Sequence, residues 1–412
     1  MNMKINGIIA EYHPFHNGHR YQLLDAKEAL GADYTVVLMS GNFVQRGTLS
    51  MFDKHIRTQM ALRGGADLVL ELPVSISTGS AEYFATGAVT LLNGLGCIDH
   101  LCFGSESGQL HTLSEAVNIL TEEPHAYREA LRKELSLGAS FPKARQLALL
   151  TCLPHSAKSS LQDGPNDILA MEYLKALKLT KSSMLPYTTG RKGSGYHETD
   201  ICEEFASATG IRNYFSGGQA SMEIPANQIP SESFAVLSDY LKQNRPLEPD
   251  AVSSMLYYQL RSLSETGYTD YLDVSEDLSN RIRKLLPSYQ GFTQFCGLLK
   301  TKDLTYSRVS RSLIHILLGI RQYSVKDDSA FPGYVRVLGF RKSAAPLLSA
   351  LGKQSSVTLL SKPADAGTVL SAKDFSCFEK QMFADAIYEQ LLSAASGRPP
   401  RNEYTISPRI TE

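Results

Sequence analysis

The sequence predicts an α/β fold: a parallel sheet covered by helices on both faces, then a helical domain, then a small α/β C-terminal segment. Three observations predict it. Continuous apolar runs of strand length recur between residues 5 and 106, separated by segments with helical spacing, the pattern of strands buried on both faces. The alternation stops at Ser216-Gly217-Gly218, and Pro225, Pro230, Pro246 and Pro249 punctuate a stretch whose leucines recur at helical intervals. A strand-like run returns at Tyr334, in YVRVLGF. The divisions fall at residues 1–217, 218–330 and 331–412.

The first strand runs through Ile5, Ile8 and Ile9 and is broken by Pro14 and Asn17-Gly18, after which Tyr21, Leu23, Leu24 and Leu30 recur helically. A second strand is expected at Tyr34–Ser40, then the loop GNFVQRG and a helix through Lys54, His55 and Arg57. The third strand spans Asp67–Pro73; a helix over Ala81–Leu92 leads to a fourth strand ending in LCFGSE. Residues 107–182 read as mainly helical, with Asn166 available to cap a helix after Asp163-Gly164-Pro165. Met184–Thr189 is a fifth strand candidate leading into GRKGSGYHE. Parallel strands of this kind are joined by right-handed crossovers, a Rossmann-like arrangement that binds ligands at the carboxyl ends of the strands. After Tyr334 come a helix, the run SVTLL and a last helix near Phe378–Leu392; from Gly397 a Pro-containing polar tail is expected to be mobile.

Composition narrows the class. The 412 residues, 43% hydrophobic and 20% charged, suit a globular chain of two or three domains. No run approaches the roughly 18 apolar residues of a membrane span, and no basic region precedes an apolar core at the N-terminus. Cys97, Cys102, Cys152, Cys202, Cys296 and Cys377 are scattered with no C-x-x-C pair, as expected of buried thiols in a reducing cytoplasm. A net charge of −1 excludes a uniformly positive coat and leaves room for a local basic patch. Nothing implies a protein partner.

The turn after the first strand carries His16-Asn17-Gly18-His19, an H-x-G-H tetrapeptide. Placed between a strand and a helix N-terminus, its imidazoles can donate to phosphate oxygens while Gly18 lets a ligand approach the backbone, chemistry that suits nucleotidyl transfer. With His13, the histidines also have a spacing that suits metal ligands, but Pro14 and Gly18 interrupt the helix this would need, and no metal site is assigned. Lys54 and Arg57 put cations on the same rim, able to meet a triphosphate or the anionic tail of a second substrate. Gly41, Gly47 and Gly104 allow close backbone approach. In FASATGIRNY, Ser207 and Thr209 hydroxyls precede Arg212 at a second helix N-terminus suited to phosphate.

In the helical stretch and just beyond it, Arg281, Arg283, Lys284, Lys300, Lys302, Arg308, Arg311, Arg321, Arg336, Arg341 and Lys342 are interleaved with Tyr289, Phe292, Tyr306 and Tyr323. Cations that track phosphates and aromatics that stack on unpaired bases suit single-stranded RNA. The candidates are Lys300, Lys302, Arg308 and Arg311; a solvated helix face is the alternative.

EYHPFHNGH at Glu11–His19, SGNFVQRG at Ser40–Gly47, DLVLELPV at Asp67–Val74, FGSE at Phe103–Glu106, NDILAMEYLKAL at Asn166–Leu177, GSGYH at Gly193–His197 and KTKDLTYSRVSR at Lys300–Arg311 resemble, in order, the bacterial tRNA(Met) cytidine acetate ligases of the H-x-G-H nucleotidyltransferase superfamily. Two departures stand out. The family usually has Asn where this chain has His13, and Ala206 and Ala208 replace the Ile and second Ser of the second signature. The resemblance implies a Rossmann-like nucleotidyltransferase domain that forms acetyl-adenylate from ATP and acetate, then acetylates the wobble cytidine of elongator tRNA(Met) at its exocyclic amine. The catalytic candidates are His16, His19 and Lys54. The ATP candidates are Ile9, Ala10, Glu11, Tyr12, His13, Pro14, Phe15, His16, Asn17, Gly18, His19, Gly104, Ser207, Thr209 and Arg212, with Asn166 and Arg191 added by the resemblance. Magnesium fits as a triphosphate counterion, without an identifiable protein ligand. Two other readings stay open: a small-molecule adenylyltransferase of coenzyme-biosynthesis type, and a non-catalytic RNA-binding protein on the same fold.

Overall fold

The computed structural model describes residues 3–154, 157–158, 164–190, 207–216, 223–322 and 331–412. Five parallel strands form its centre: β1 (Ile5–Ala10), β2 (Tyr34–Ser40), β5 (Leu68–Leu72), β6 (His100–Ser105) and β7 (Leu185–Gly190). A small antiparallel hairpin of β3 (Phe43–Val44) and β4 (Thr48–Leu49) interrupts the chain after β2. The spatial order β5-β2-β1-β6-β7 puts β1 between β2 on one side and β6 on the other. Chain direction across the sheet therefore reverses at β1, and the crevice beyond β1 and β6 is the switch point where such sheets take ligands.

The strands form because alternate side chains feed two cores. Ile8, Val37 and Met39 join the core under helices α1 (Asn17–Leu30) and α2 (Lys54–Gly64). Their neighbours Ile9, Val36 and Leu38 join the core under the helices Ala81–Gly94 and Pro165–Leu179 on the other face. Each of these side chains is at least nine-tenths buried, worth about 1.5–3 kcal/mol apiece relative to exposure.

The C-terminal segment is α/β, as expected, but it does not form a layer of its own. Strand β8 (Tyr334–Arg341) pairs antiparallel with β5, and β9 (Thr358–Leu360) and β10 (Arg409–Thr411) pair parallel with β8. It covers what would otherwise be a bare sheet edge. The helical stretch is not closed at residue 330 either. The core inside the helices Ser253–Ser262, Glu276–Leu285, Phe292–Leu299 and Tyr306–Leu318 also takes Phe43 and Leu49 from the hairpin and Ala384, Tyr388 and Leu392 from the helix Ala372–Ser396.

The expectation of a mobile tail after Gly397 is overturned. Arg398 and Arg401 pair with Glu389, Arg401 also reaches Asp53 at 3.0 Å, and Glu403 meets Arg336 and Lys54 before the chain enters β10. A polar composition suggests solvation, but the charges of this tail are paired within a shared network. Asn166 is likewise not the cap of its helix. Gly164 holds that position and Asn166 lies inside the first turn. Among the described residues, no helix is long and apolar enough to cross a membrane, and Cys97, Cys102, Cys152, Cys296 and Cys377 are free thiols.

Candidate nucleotide site

The turn after β1 is built from its histidines. His16 is the N-cap of α1: its Nδ1 accepts from the Gly18 N–H at 3.1 Å, while the His16 N–H donates to Nδ1 of His19 at 3.3 Å. This is a capping box made of imidazoles. Because both Nδ1 atoms accept, each neutral ring carries its proton on Nε2, and the turn holds two fixed N–H donors. The rings stack at 3.8 Å between centroids. Gly18 is required by this packing, since a Cβ there would lie 2.9 Å from His16 Cε1.

Neighbouring residues fix the turn. Phe15 is fully buried, with its ring in the space left by Gly64 of α2. Tyr12, buried and left-handed at φ 47°, packs edge-on against Phe15 and beside His19. His13 accepts the Met51 N–H on Nε2 at 2.8 Å. Burial, with help from Arg212, Arg57 and Arg46, lowers its pKa well below the usual histidine value and keeps it neutral for that role.

The other strand ends converge here. Arg212, in the helix Ala208–Ser216, donates to the His13 carbonyl at 2.8 Å and to Thr209 Oγ1 at 2.9 Å. Burial lowers its pKa, Arg46 lowers it further, and Glu11 opposes; the result is about 10. Ser207 Oγ accepts the Gly210 N–H, as expected at this helix start. Gly104 lies on β6 with only the Thr189 carbonyl near the place of its missing side chain, at 3.9 Å. Asn166 donates from N and Nδ2 to Glu106 Oε1, and the Asp167 N–H donates to Oε2 at 2.6 Å. The FGSE carboxylate thus caps the helix that Asn166 was expected to cap. No sequence signal links residues 60 apart in this way. Arg191 and the GSGYH run lie outside the described residues.

Lys54 and Arg57 depart from the sequence reading. Lys54 is fully buried; its ammonium sits 2.7 Å from Glu71, 2.5 Å from Asp385 and 3.0 Å from Glu403. Burial pulls its pKa down, and the three carboxylates more than offset this and hold it charged. An ammonium so enclosed is a tie between α2, β5, the helix Ala372–Ser396 and the tail, not a cation offered to a ligand. Arg57, also fully buried, donates to the carbonyls of Phe52, Glu11, Ser40 and Gly41. It cross-braces the ends of β1 and β2.

The basic candidates divide in the same way. Lys300, Lys302 and Arg308 are exposed. Arg311 is largely buried and pairs with Asp273 at 2.8 Å. Arg281 donates to the carbonyls of Leu298 and Leu299, and Arg341 to that of Leu62. Among the described residues, no group of three His, Cys, Asp or Glu is arranged to hold a metal ion.

The family model described as HIGH Nucleotidyl Transferase matches residues 3–402. The tRNA(Met) cytidine acetate ligase of a Thermoanaerobacter species is 42% identical over 388 residues, 94% of this chain and 95% of that protein. The enzyme of the same name from Acetivibrio thermocellus is 37% identical over 98% of this chain and 99% of its own. The crystal structure of Thermotoga maritima TmcAL bound with alpha-thio ATP superposes with a TM-score of 0.89 at 29% identity, covering 99% of each chain. Its apo form gives 0.90 at 30% identity. With an imidazole capping box at the switch point of the sheet and relatives matched end to end, this chain belongs to the HIGH nucleotidyl transferase family, among the tRNA(Met) cytidine acetate ligases.

Proposed function

We propose that the chain is an ATP-dependent ligase that acetylates the wobble cytidine of elongator tRNA(Met) to N4-acetylcytidine. A carboxylate oxygen of acetate attacks the α-phosphorus of ATP, and the bond to pyrophosphate breaks. The exocyclic amine then attacks the acetyl carbonyl; AMP leaves, and the amine nitrogen loses one proton. The observation that carries the reading is the pair of fixed Nε2–H donors at the head of α1, beside the carboxyl end of β1.

In this proposal His16 and His19 donate to the phosphate chain as negative charge moves toward pyrophosphate. Residues 9–19, Gly104, Asn166, Arg191, Ser207, Thr209 and Arg212 surround the nucleotide. Binding and positioning supply the rest of the catalysis, with no covalent enzyme intermediate. Lys54 is left out of the chemistry because its ammonium is occupied. Lys300, Lys302 and Arg308, with Tyr306 exposed beside them, receive the RNA. Magnesium would travel on the triphosphate, since the described residues offer it no ligand set. The reaction belongs in the cytoplasm, where tRNA and ATP meet.

The test mixes protein, ATP, labelled acetate and unmodified tRNA, omitting each in turn. Label in RNA that requires every component supports the ligase. Pyrophosphate release with unlabelled RNA favours a small-molecule adenylyltransferase and overturns the RNA step.

A further inference from the structure

Among the described residues between 223 and 322, every exposed large hydrophobic side chain is a tyrosine: Tyr257, Tyr258 and Tyr306. The first two lie on the helix Ser253–Ser262, whose buried Leu256 and Leu260 turn its opposite face into the core. Tyr257 is held in place. Its ring lies 5.4 Å from that of Tyr289, which lies 5.0 Å from Phe295 and donates through its hydroxyl to the Ser253 carbonyl at 2.8 Å. Tyr258 is 73% exposed, more than any other large hydrophobic side chain among the described residues. Cations flank it. Arg261 follows Tyr257 and Tyr258 by four and three positions, the spacing at which helical side chains are neighbours. Arg283, from the helix Glu276–Leu285, reaches the chain just beyond: its Nη2 donates to the Glu265 carbonyl at 3.4 Å, and a Cβ on Gly267 would collide with its guanidinium. Arg261 and Arg283 are both exposed, and neither is ion-paired among the described residues, whereas Lys242 and Arg321 of the same stretch pair with Asp239 and Asp270.

We propose that Tyr258 is a stacking platform for an unpaired base of the RNA substrate, with Arg261 and Arg283 meeting the neighbouring phosphates. The proposal rests on the RNA reading above and extends the RNA face beyond Lys300, Lys302 and Arg308. Each base has a flat π face that an exposed tyrosine ring can cover, and guanidiniums beside the ring track the backbone. The partner must therefore be an anion with open aromatic faces, which describes single-stranded RNA. A duplex brings phosphates, but its bases are stacked on one another and offer the ring no face. A contact between two copies of this chain across a two-fold axis would set the same guanidiniums against each other. The stack of Tyr257 on Tyr289 fixes the turn of helix from which the Tyr258 ring projects.

The test measures filter retention of labelled tRNA, a single-stranded oligouridylate and an RNA duplex by the full chain over a salt series. Tyr258→Ala is expected to weaken binding of tRNA and of the single strand by roughly 5- to 150-fold, the range for one lost base stack, with the salt slope unchanged. Duplex binding stays within about twofold. Tyr258→Phe keeps the wild-type affinity, because the ring remains. Arg261→Ala weakens binding to all three RNAs and lowers the salt slope by about 1. Unchanged affinity in Tyr258→Ala, an equal loss for the duplex, or a loss in Tyr258→Phe as large as in Tyr258→Ala overturns the assignment. So does a wild-type chain that retains no single strand, or a changed sedimentation coefficient in Tyr258→Ala, which would mark a contact between copies. A chain that holds the single strand through Tyr258 yet puts no acetate label into tRNA would instead defeat the ligase reading and leave the platform standing.

Discussion

Two charged clusters lie against the loop between β2 and α2, and they use charge in opposite ways. At the nucleotide turn, the largely buried Arg212 donates to the His13 carbonyl and to Thr209 Oγ1, and burial keeps His13 neutral. At the other, Lys54 and Arg336 are packed with Glu71, Asp385 and Glu403, and Gln381 donates to Glu71 and Asp385. In the first, the guanidinium is held by neutral oxygens. The second pairs its charges internally and ties the C-terminal helix and tail to the sheet.

Lys54→Ala would break the second cluster outright. It takes the ammonium from three clustered carboxylates and leaves Asp385 with amide donors alone, and the expected loss is about 3–5 kcal/mol in urea denaturation. A variant of wild-type stability that lacks activity would instead restore Lys54 to the chemistry. His19→Ala breaks the first cluster. Acetyl-adenylate formation should drop by about 10²- to 10³-fold, the scale of one lost transition-state donor, while RNA affinity is retained in filter binding.

The clusters also separate by pH. Burial raises the Asp385 pKa; Lys54 opposes and Glu71 and Glu403 add to it, giving about 7. Its folded value then lies above its unfolded value of about 4, so the folded protein keeps a proton that the unfolded chain has released. This contribution is full below about pH 4 and is lost as pH rises toward 7. Asp385→Asn should flatten the decline of the stability curve between pH 4 and 7. A curve of unchanged slope would place the proton elsewhere. His13 has the opposite sign. Its lowered pKa gives stability that is present above about pH 6.5 and lost as pH falls, because only the unfolded chain takes up the proton. His13→Asn should flatten the acid side and keep ATP binding, the smallest effect of the set.

Between these in size is the RNA face. Arg308→Ala should weaken tRNA binding and reduce the slope of log affinity against log salt by about 1. Arg311→Ala should leave that slope unchanged, since its guanidinium is held by Asp273. Equal loss of slope in both variants would erase the distinction between exposed and structural cations.

Much of the molecule was legible in order. Continuous runs such as YTVVLMS can only be strands buried on both faces, and H-x-G-H directly after the first of them marks a nucleotide turn, because strand end, glycine and helix start are all local in sequence. Partner assignment was not local. Lys54 and Arg57 read as rim cations because their charge is visible in the sequence, whereas Asp385 and Glu403, more than 300 residues on, are not visible as their neighbours. The tail read as mobile because polar residues look solvated until matched charges are brought to them.

The sequence by itself determined the strand-and-helix order, the site of the histidine turn, and the family. Periodicity and short motifs act within one or two turns of chain, so they survive without a partner. Tertiary structure alone decided which charges remain available to a ligand. It closed Lys54 behind three carboxylates, turned Arg57 to four carbonyls and Arg311 toward Asp273, and left Lys300, Lys302 and Arg308 exposed. The physical reason is that a charge is defined chemically by its residue but energetically by what desolvates and pairs it, and both arrive through folding.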